Sequence, residues 1–179
     1  MIARIVPVLV AFGANLGDRG ETIERAAHAL AQTPGVSDLV LSPLRETVAL
    51  TESGPDPEAP AYLNAVASAT TTLTAHELLD RMQAIETDHG RTRDIRWGDR
   101  TLDIDLILFG GGAVRDDRLT VPHPRAHERD FVLAPWLDLD PDAVLMGHGR
   151  VRDLLDRIGD TTRPLTPTAS VEPSNGHDD

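Results

Sequence analysis

Four strand-like runs and two amphipathic helices restrict the fold of this chain more than any other feature of its sequence. The runs are rich in Val, Leu, Ile and Ala and lie at residues 5–12, 36–44, 62–73 and 102–109. Short apolar runs of this kind are typical of buried strands. The first run follows a basic residue, as in a targeting segment, but Pro7 and the helix start that comes next favour a first strand.

Each of the two helices begins with a capping pattern. Asp18 is followed three residues later by Glu21, and Thr74 is followed three residues later by Glu77. The buried faces that follow have helical spacing and consist of Ile23, Ala26, Ala27 and Leu30 in one helix and Leu78, Leu79, Met82 and Ile85 in the other. The order β-α-β-β-α-β predicts an α+β protein with a ferredoxin-like split β-α-β core, a largely antiparallel sheet and appended helices.

Length and composition predict one domain. The 179 residues are enough for one hydrophobic core, and we expect residues 1–160 to form a single domain. Residues 161–179 are rich in Thr, Pro, Ser and Asp and are expected to be a disordered tail. Residues 51–60 contain three prolines and predict a long loop, whereas residues 151–159 predict a short amphipathic helix.

Charge and composition exclude several classes of function. The formal net charge of −12 disfavours a binder of nucleic acid or of a membrane surface. The chain has no cysteine, which excludes thiolate catalysis and cysteine-bound zinc and fits a cytoplasmic protein. All 17 basic residues are arginine, so the lysine of a Walker-type phosphate loop or of a protein kinase is absent. Any phosphate chemistry must therefore use arginine, metal ions and backbone amides.

Two acidic residues interrupt the last apolar run. Asp103 and Asp105 are two residues apart, so in a strand both side chains point to one face. The alternation places four apolar side chains on the opposite face, namely Leu102, Ile104, Leu106 and Leu108. Adjacent carboxylates are the ligands that Mg²⁺ binds together with substrate phosphates. The alternative is a solvated strand face without a ligand.

Arginine is concentrated just before this strand. The four positions are Arg91, Arg93, Arg96 and Arg100. Guanidinium groups bind phosphate oxygens bidentately, so arginines beside a carboxylate pair suit metal–nucleotide chemistry. An exposed loop with ordinary salt bridges is the alternative. A second Asp-x-Asp, in LDLDPD at residues 137–142, lacks both a following strand and preceding arginines and predicts an exposed loop.

An aromatic ring and an amide lie on one face of the third strand. Tyr62 and Asn64 are two residues apart, and such a pair can stack on a flat heterocycle and hydrogen-bond its edge. An aromatic residue at a strand edge explains Tyr62 equally well. Trp97 and Phe131 could supply another stacking surface, although such residues are more often core. Gln83, Glu86 and His123 could bind a nucleotide, phosphate or metal, but a solvated helix pair and a loop histidine are the alternatives.

Together these motifs resemble the 6-hydroxymethyl-7,8-dihydropterin pyrophosphokinases (2-amino-4-hydroxy-6-hydroxymethyldihydropteridine diphosphokinases), a family of folate biosynthesis. The resemblance runs from about Val8 to Leu155. Its anchors are GANLGDR at 13–19, YLNAV at 62–66, RWGDRTLDIDLILFG at 96–110 and LTVPHPRAHERDFVLAPW at 119–136. It implies an Mg²⁺-dependent enzyme that transfers diphosphate from ATP to the pterin hydroxymethyl group and releases AMP. We also expect a cytoplasmic monomer.

The resemblance also implies roles for individual residues. Asp103 and Asp105 would bind two Mg²⁺ ions with ATP, and Arg91 and Arg100 would stabilise charge during transfer. The nucleotide would contact Gln83, Glu86, Arg93, Arg96, Leu106, Arg118, Thr120, His123 and Arg129. The pterin would contact Thr47, Tyr62, Asn64, Trp97 and Phe131.

Two departures from the family pattern keep other functions open. Asp99 stands where the family usually has proline, and residues 47–60 lack the family's double proline. A non-catalytic module that binds pterin or nucleotide is therefore one alternative. A metal-dependent phosphohydrolase is another.

Overall fold

The computed structural model of the protein describes residues 4–51, 54–89 and 102–165. The helices are α1 (Arg19–Ala31), α2 (Ala75–Asp88), α3 (Asp130–Leu139) and α4 (Val151–Ile158), with a 3₁₀ helix at Ala126–Glu128. The strands are β1 (Val6–Ala14), β2 (Val36–Leu41), β3 (Arg45–Thr47), β4 (Ala49–Thr51), β5 (Gly54–Asp56), β6 (Tyr62–Thr71), β7 (Asp103–Phe109), β8 (Val114–Arg115), β9 (Thr120–Val121), β10 (Val144–Leu145), β11 (Gly149–Arg150) and β12 (Arg163–Pro164).

One six-stranded sheet organises the molecule. Its strands lie in the order β12-β3-β6-β1-β7, and β2 pairs with β6 beside β3. All of these pairs are antiparallel. The third strand-like run, β6, lies between the first run and the second, as a split β-α-β arrangement requires. The ferredoxin-like α+β fold expected from the order of elements is therefore confirmed.

Hydrophobic cores lie on both faces of the sheet. The first core joins α1 and α2 to the face that carries Val10, Phe12 and Ala65. The second joins α3, α4 and the 3₁₀ helix to the opposite face, which carries Leu9 and Val66. The face of the aspartates is consequently core along part of its length, and only the remainder is free for a site.

The prediction for Leu108 is wrong. The register of β1 and β7 shifts so that Leu9 pairs with Leu108 but Val10 pairs with Leu106. The extra residue on β7 is a β-bulge, which reverses the side-chain alternation beyond it. Ile107 and Leu108 therefore both contact the second core.

Both predicted caps are present. The Asp18 carboxylate accepts a hydrogen bond from the Glu21 N–H at 3.0 Å. At the start of α2, the Thr74 hydroxyl accepts from the Glu77 N–H at 3.3 Å, while the Glu77 carboxylate accepts from the Thr74 N–H at 2.8 Å. This reciprocal arrangement is the complete capping box.

Three segments that were predicted to be irregular contain secondary structure. The first part of the predicted loop at 51–60 takes part in the β4–β5 hairpin. The Asp-x-Asp at 137–142 begins inside α3, because the apolar sequence of this segment packs as a helix against the sheet. The first residues of the predicted tail include β12, which pairs with β3, so the segment up to residue 165 is part of the sheet. Among the described helices, none is long and apolar enough to cross a membrane.

Candidate active site

The candidate site lies on the second face of the sheet, beyond the end of the second core. Gly13 of β1 pairs with Asn64 of β6 on one side and with Asp103 of β7 on the other. Directly opposed residues of antiparallel strands point to the same face. The amide and the carboxylate are therefore two strands apart, roughly 10 Å from the strand spacing.

Gly13 leaves the space between these two side chains open. A Cβ atom at this position would lie 3.3 Å from Oδ1 of Asn64. That distance is shorter than an ordinary van der Waals contact, so a larger residue would displace the amide. Gly13 is a candidate site residue that the sequence analysis did not single out; its place near the end of a strand, in GAN, is the signal that could have identified it.

Asn64, Gly13 and Asp103 form a row across three strands. Hydrogen bonding holds the Asn64 end of this row. Asn64 is 5% exposed, and its Nδ2 donates to Oγ1 of Thr47 at 2.9 Å. Thr47 pairs directly with Tyr62 across β3 and β6, so all three side chains point to one face. Three of the predicted pterin contacts are thus neighbours, and the Asn64 amide has a defined orientation.

The carboxylate end has an arginine and a histidine beside it. Arg129 Nη1 donates to Oδ2 of Asp105 at 3.3 Å, and His123 Nε2 lies 3.9 Å from the same oxygen. The Asp105 side chain is 34% exposed, and Asp103 is half-buried. The Arg129 guanidinium also lies 5.5 Å from the centroid of the Phe131 ring. The start of α3 therefore forms one wall of the site.

His123 is neutral in this environment. Its backbone N–H donates to the Ile107 carbonyl at 2.9 Å, which fixes the segment after β9 against β7. Burial lowers the pKa of His123 to about 4; Arg129 and Arg125 act in the same direction, and Asp103 opposes them. Nδ1 accepts from the Arg125 N–H at 3.2 Å, which assigns the ring proton to Nε2, the nitrogen near Asp105.

Glu86 lies beside β7, the edge strand that carries both aspartates. It is 2% exposed on α2 and accepts the Ile104 N–H at 2.8 Å, so it attaches α2 to β7. Gln83 is half-buried one turn earlier, and the Leu106 side chain belongs to the first core. Glu86 therefore lies at the free edge of β7, whereas the Leu106 side chain points to the face opposite Asp103.

The other predicted site residues lie further out or outside the described ranges. Arg118 lies in the turn between β8 and β9 and donates to the Asp80 carboxylate. Thr120, the first residue of β9, is half-buried. Five predicted residues lie outside the described ranges, namely Arg91, Arg93, Arg96, Trp97 and Arg100.

The donor set fits magnesium. Within 4–51, 54–89 and 102–165, no three His, Asp or Glu side chains are grouped as a metal site. Mg²⁺ commonly needs only one or two carboxylates because water and substrate phosphates complete its coordination. Asp103 and Asp105 supply such a pair on a partly exposed strand end.

These features define an α+β enzyme with a ferredoxin-like sheet and a polar site at one end of one sheet face. The sequence model of the 7,8-dihydro-6-hydroxymethylpterin-pyrophosphokinase family matches residues 9–141. The chain belongs to this family.

Relatives and solved structures agree with this family. The chain is 35% identical over 156 residues to the 2-amino-4-hydroxy-6-hydroxymethyldihydropteridine pyrophosphokinase of Haemophilus influenzae, covering 87% of this chain and 95% of the relative. It is 42% identical over 148 residues to the pyrophosphokinase of the same name from Pseudomonas aeruginosa, covering 83% and 89%. A crystal structure of Plasmodium falciparum HPPK-DHPS shares the fold with a TM-score of 0.69 at 11% identity. That match covers 90% of this chain, which spans about half the length of the solved one (47%).

Proposed function

We propose that the protein transfers the β,γ-diphosphate of ATP to the hydroxymethyl oxygen of 6-hydroxymethyl-7,8-dihydropterin. The single observation that carries the proposal is the row on the open sheet face, in which Gly13 separates Asn64 from Asp103. One end of the row suits a flat heterocycle and the other suits a charged phosphate chain. The names of the relatives agree with this reaction.

The pterin is proposed to lie over the amide end. Asn64 offers an amide oxygen and Thr47 a hydroxyl for the edge of the heterocycle, while Tyr62 and Phe131 offer aromatic surfaces. Trp97 completes the proposed set. Because Asn64 is already hydrogen-bonded to Thr47, little side-chain entropy remains to be lost when the substrate binds.

Asp103 and Asp105 are the proposed ligands of two Mg²⁺ ions that arrive with ATP. When bound, these ions would neutralise phosphate charge and favour ionisation of the pterin alcohol. The neutral His123 and the cationic Arg129 lie beside Asp105 and are proposed to contact the phosphates.

The remaining residues of the proposed site are expected to contact ATP. Arg91 and Arg100 are the proposed catalytic cations. The proposed nucleotide contacts also include Gln83, Glu86, Arg93, Arg96, Leu106, Arg118 and Thr120.

The proposed step is a displacement at the β-phosphorus of ATP. The hydroxymethyl oxygen forms a bond to the β-phosphorus, and the bond from that phosphorus to the oxygen bridging the α-phosphate breaks. AMP leaves with the bridging oxygen, and the alcohol proton passes to solvent. The chain would position the two reactants and stabilise charge, which are the main contributions of a protein to phosphoryl transfer.

An AMP-release assay tests the proposal. Purified protein is incubated with ATP and Mg²⁺, with and without the pterin alcohol, and AMP, ADP and phosphate are separated. We expect AMP only when both Mg²⁺ and the pterin alcohol are present. ADP as the product would reject the reaction, and phosphate release without pterin would indicate a phosphohydrolase. Binding of both ligands without turnover would indicate a non-catalytic module.

The compartment and the assembly state are also proposed. We propose that the protein acts as a cytoplasmic monomer on two small molecules. A chain without cysteine agrees with a reducing compartment. Light scattering of the purified protein tests the monomer, and a dimer mass would reject it.

A further inference from the structure

The segment at residues 160–165, called here the C-terminal strap, joins two elements that carry the site. Its strand β12 pairs with β3, with Arg163 opposite Glu46 and Pro164 opposite Arg45. The Leu165 N–H then donates to the Leu44 carbonyl at 2.9 Å. β3 has only three residues and pairs with β6 on its other side, so the strap covers what would be a free edge.

Arg45 is the polar centre of this contact. Its guanidinium is bidentate to Asp138 of α3, with Nε to Oδ2 at 2.7 Å and Nη2 to Oδ1 at 2.9 Å. Nη1 donates to Thr162 Oγ1 at 2.9 Å and to Asp160 Oδ2 at 3.3 Å. The side chain is 13% exposed, and its hydrogen bonds to Asp138 raise the pKa of Arg45. One half-buried cation thus binds β3, α3 and the strap together.

The strap also contacts the start of α3. The Thr161 N–H and hydroxyl donate to the Asp130 carboxylate at 2.8 Å and 2.6 Å. Asp130 lies between Arg129, which contacts Asp105, and Phe131, whose ring lies beneath that guanidinium. At its other end the strap pairs with the strand that contains Thr47. The same six residues therefore connect both walls of the proposed pterin pocket.

We infer that Arg45 and the C-terminal strap are positioning elements that set the distance between the β3 wall and the α3 wall of the pterin pocket. The inference rests on the proposed function. Arg45 points to the site face opposite Asn64, but its donors are directed to Asp138, Asp160 and Thr162, so it acts through its neighbours rather than on substrate. Removing it leaves the Asp138 and Asp160 carboxylates, which are 27% and 35% exposed, without the cation they share, and both walls lose their link to the strap.

Arg45→Met in the full chain tests the inference, with Arg25→Met as the matched control. Arg25 pairs with Glu21 at 4.0 Å on the exposed face of α1, and its side chain is 71% exposed. We expect Arg45→Met to raise the KM for the pterin alcohol about tenfold while the KM for ATP changes less than about twofold, since a misplacement near 1 Å can cost about 10²-fold. Arg45→Lys is expected to fall between Met and wild type because a lysine lacks the bidentate fork.

Thr161→Val is a second variant that keeps Arg45 intact. It removes the hydroxyl bond to Asp130 at nearly constant volume, so it is expected to raise the pterin KM in the same direction by a smaller factor. A positioning role would be rejected if Arg45→Met and Thr161→Val both changed the KM for the pterin alcohol and the KM for ATP equally. It would also be rejected if neither variant changed either KM. This variant keeps the test open if Arg45→Met does not fold.

Hydrogen exchange separates this inference from the proposed function because it needs no turnover. In Arg45→Met, amide exchange is expected to accelerate at 160–165 and at 129–131 but not in α1. Unchanged exchange at these segments would reject the strap even in an active enzyme. Wild-type protein that forms no AMP would instead reject the proposed function.

Discussion

At the scale of single residues, the site depends on the absence of a side chain as much as on its polar groups. Gly13 lies between the Asn64 amide and the Asp103 carboxylate, and its missing Cβ leaves the floor of the proposed cleft flat. Arg129 and neutral His123 lie at the other end, beside Asp105. A substrate bound along the row would therefore contact uncharged hydrogen-bonding groups at the Asn64 end and charged groups at the Asp103 end.

Gly13→Ala is expected to weaken pterin binding. The added methyl group would lie 3.3 Å from Asn64 Oδ1 and push the amide by a few tenths of an ångström, so the pterin KM should rise roughly a few-fold. Steady-state kinetics with varied pterin measures the effect. Gly112→Ala is the control, because no atom lies within 4 Å of its added Cβ. Equal KM values for the two variants would contradict this account of Gly13.

Asp103→Asn is expected to reduce AMP formation by at least about 10²-fold without unfolding the protein. The substitution keeps the size of the side chain but removes the charge proposed to hold Mg²⁺. The AMP-release assay and circular dichroism measure activity and folding. Asp142→Asn is the control because the Asp142 side chain is 90% exposed and far along the chain in the α3–β10 connection. Full activity of Asp103→Asn would show that the metal assignment is wrong.

At the scale of elements, local capping sets where a helix begins, whereas contacts between distant residues link the helices to the sheet. The Thr74–Glu77 box sets where α2 begins, and α2 in turn places Glu86 against the Ile104 N–H of β7. The Arg129 side chain at the N-cap of α3 makes no capping hydrogen bond. The start of α3 is linked instead to Asp105 through Arg129 and to the strap through Asp130.

Thr74→Ala is expected to lower the free energy of unfolding by about 1 kcal/mol at pH 7. The hydrogen bonds from Thr74 lower the pKa of Glu77 below its ordinary value of 4.5. Their contribution is therefore present above pH 4.5 and is lost as the pH falls through the lower folded-state pKa. Urea denaturation at pH 7 and near pH 3 measures the share of the Thr74 hydroxyl, because Thr74→Ala keeps the hydrogen bond from the backbone N–H to Glu77. A difference between variant and wild type that does not shrink at low pH would contradict the role of the carboxylate.

At the scale of the whole molecule, the sheet carries a core on each face but the site on only one. The first core under α1 and α2 extends past the level of the site as far as Ala14 and Leu63. The second core, under α3 and α4, includes Leu133 and Ile107. The aspartate face continues beyond Ile107 to Asp105 and Asp103, so the second core ends where the candidate site begins.

Leu133→Ala is expected to lower the free energy of unfolding by about 2–5 kcal/mol, because it leaves a cavity in the second core. Val144→Ala is the control, since Val144 is exposed on β10 and such changes stay within about 0.5 kcal/mol. Urea denaturation measures both. A loss below about 1 kcal/mol for Leu133→Ala would mean that α3 and the sheet do not form one cooperative core.

The sequence by itself determined the two long helices and the main strands, and it predicted the chemistry of the candidate site. Helical spacing and the caps at Asp18 and Thr74 act within a few residues, so they identify α1 and α2 directly. The two-residue spacing of Asp103 and Asp105 likewise places both carboxylates on one strand face. The family motifs added the pyrophosphokinase resemblance that the family comparison confirms.

Only the tertiary structure decided how much of the aspartate face is core and what holds the edge strand β3. The bulge opposite Leu9 and Val10 moves Leu108 to the second core, and no local pattern marks it. Arg45 and Asp138 are 93 residues apart in sequence, yet they bind each other and the C-terminal strap. Periodicity and capping report only neighbours along the chain, whereas register and ion pairing depend on which distant segments pack together.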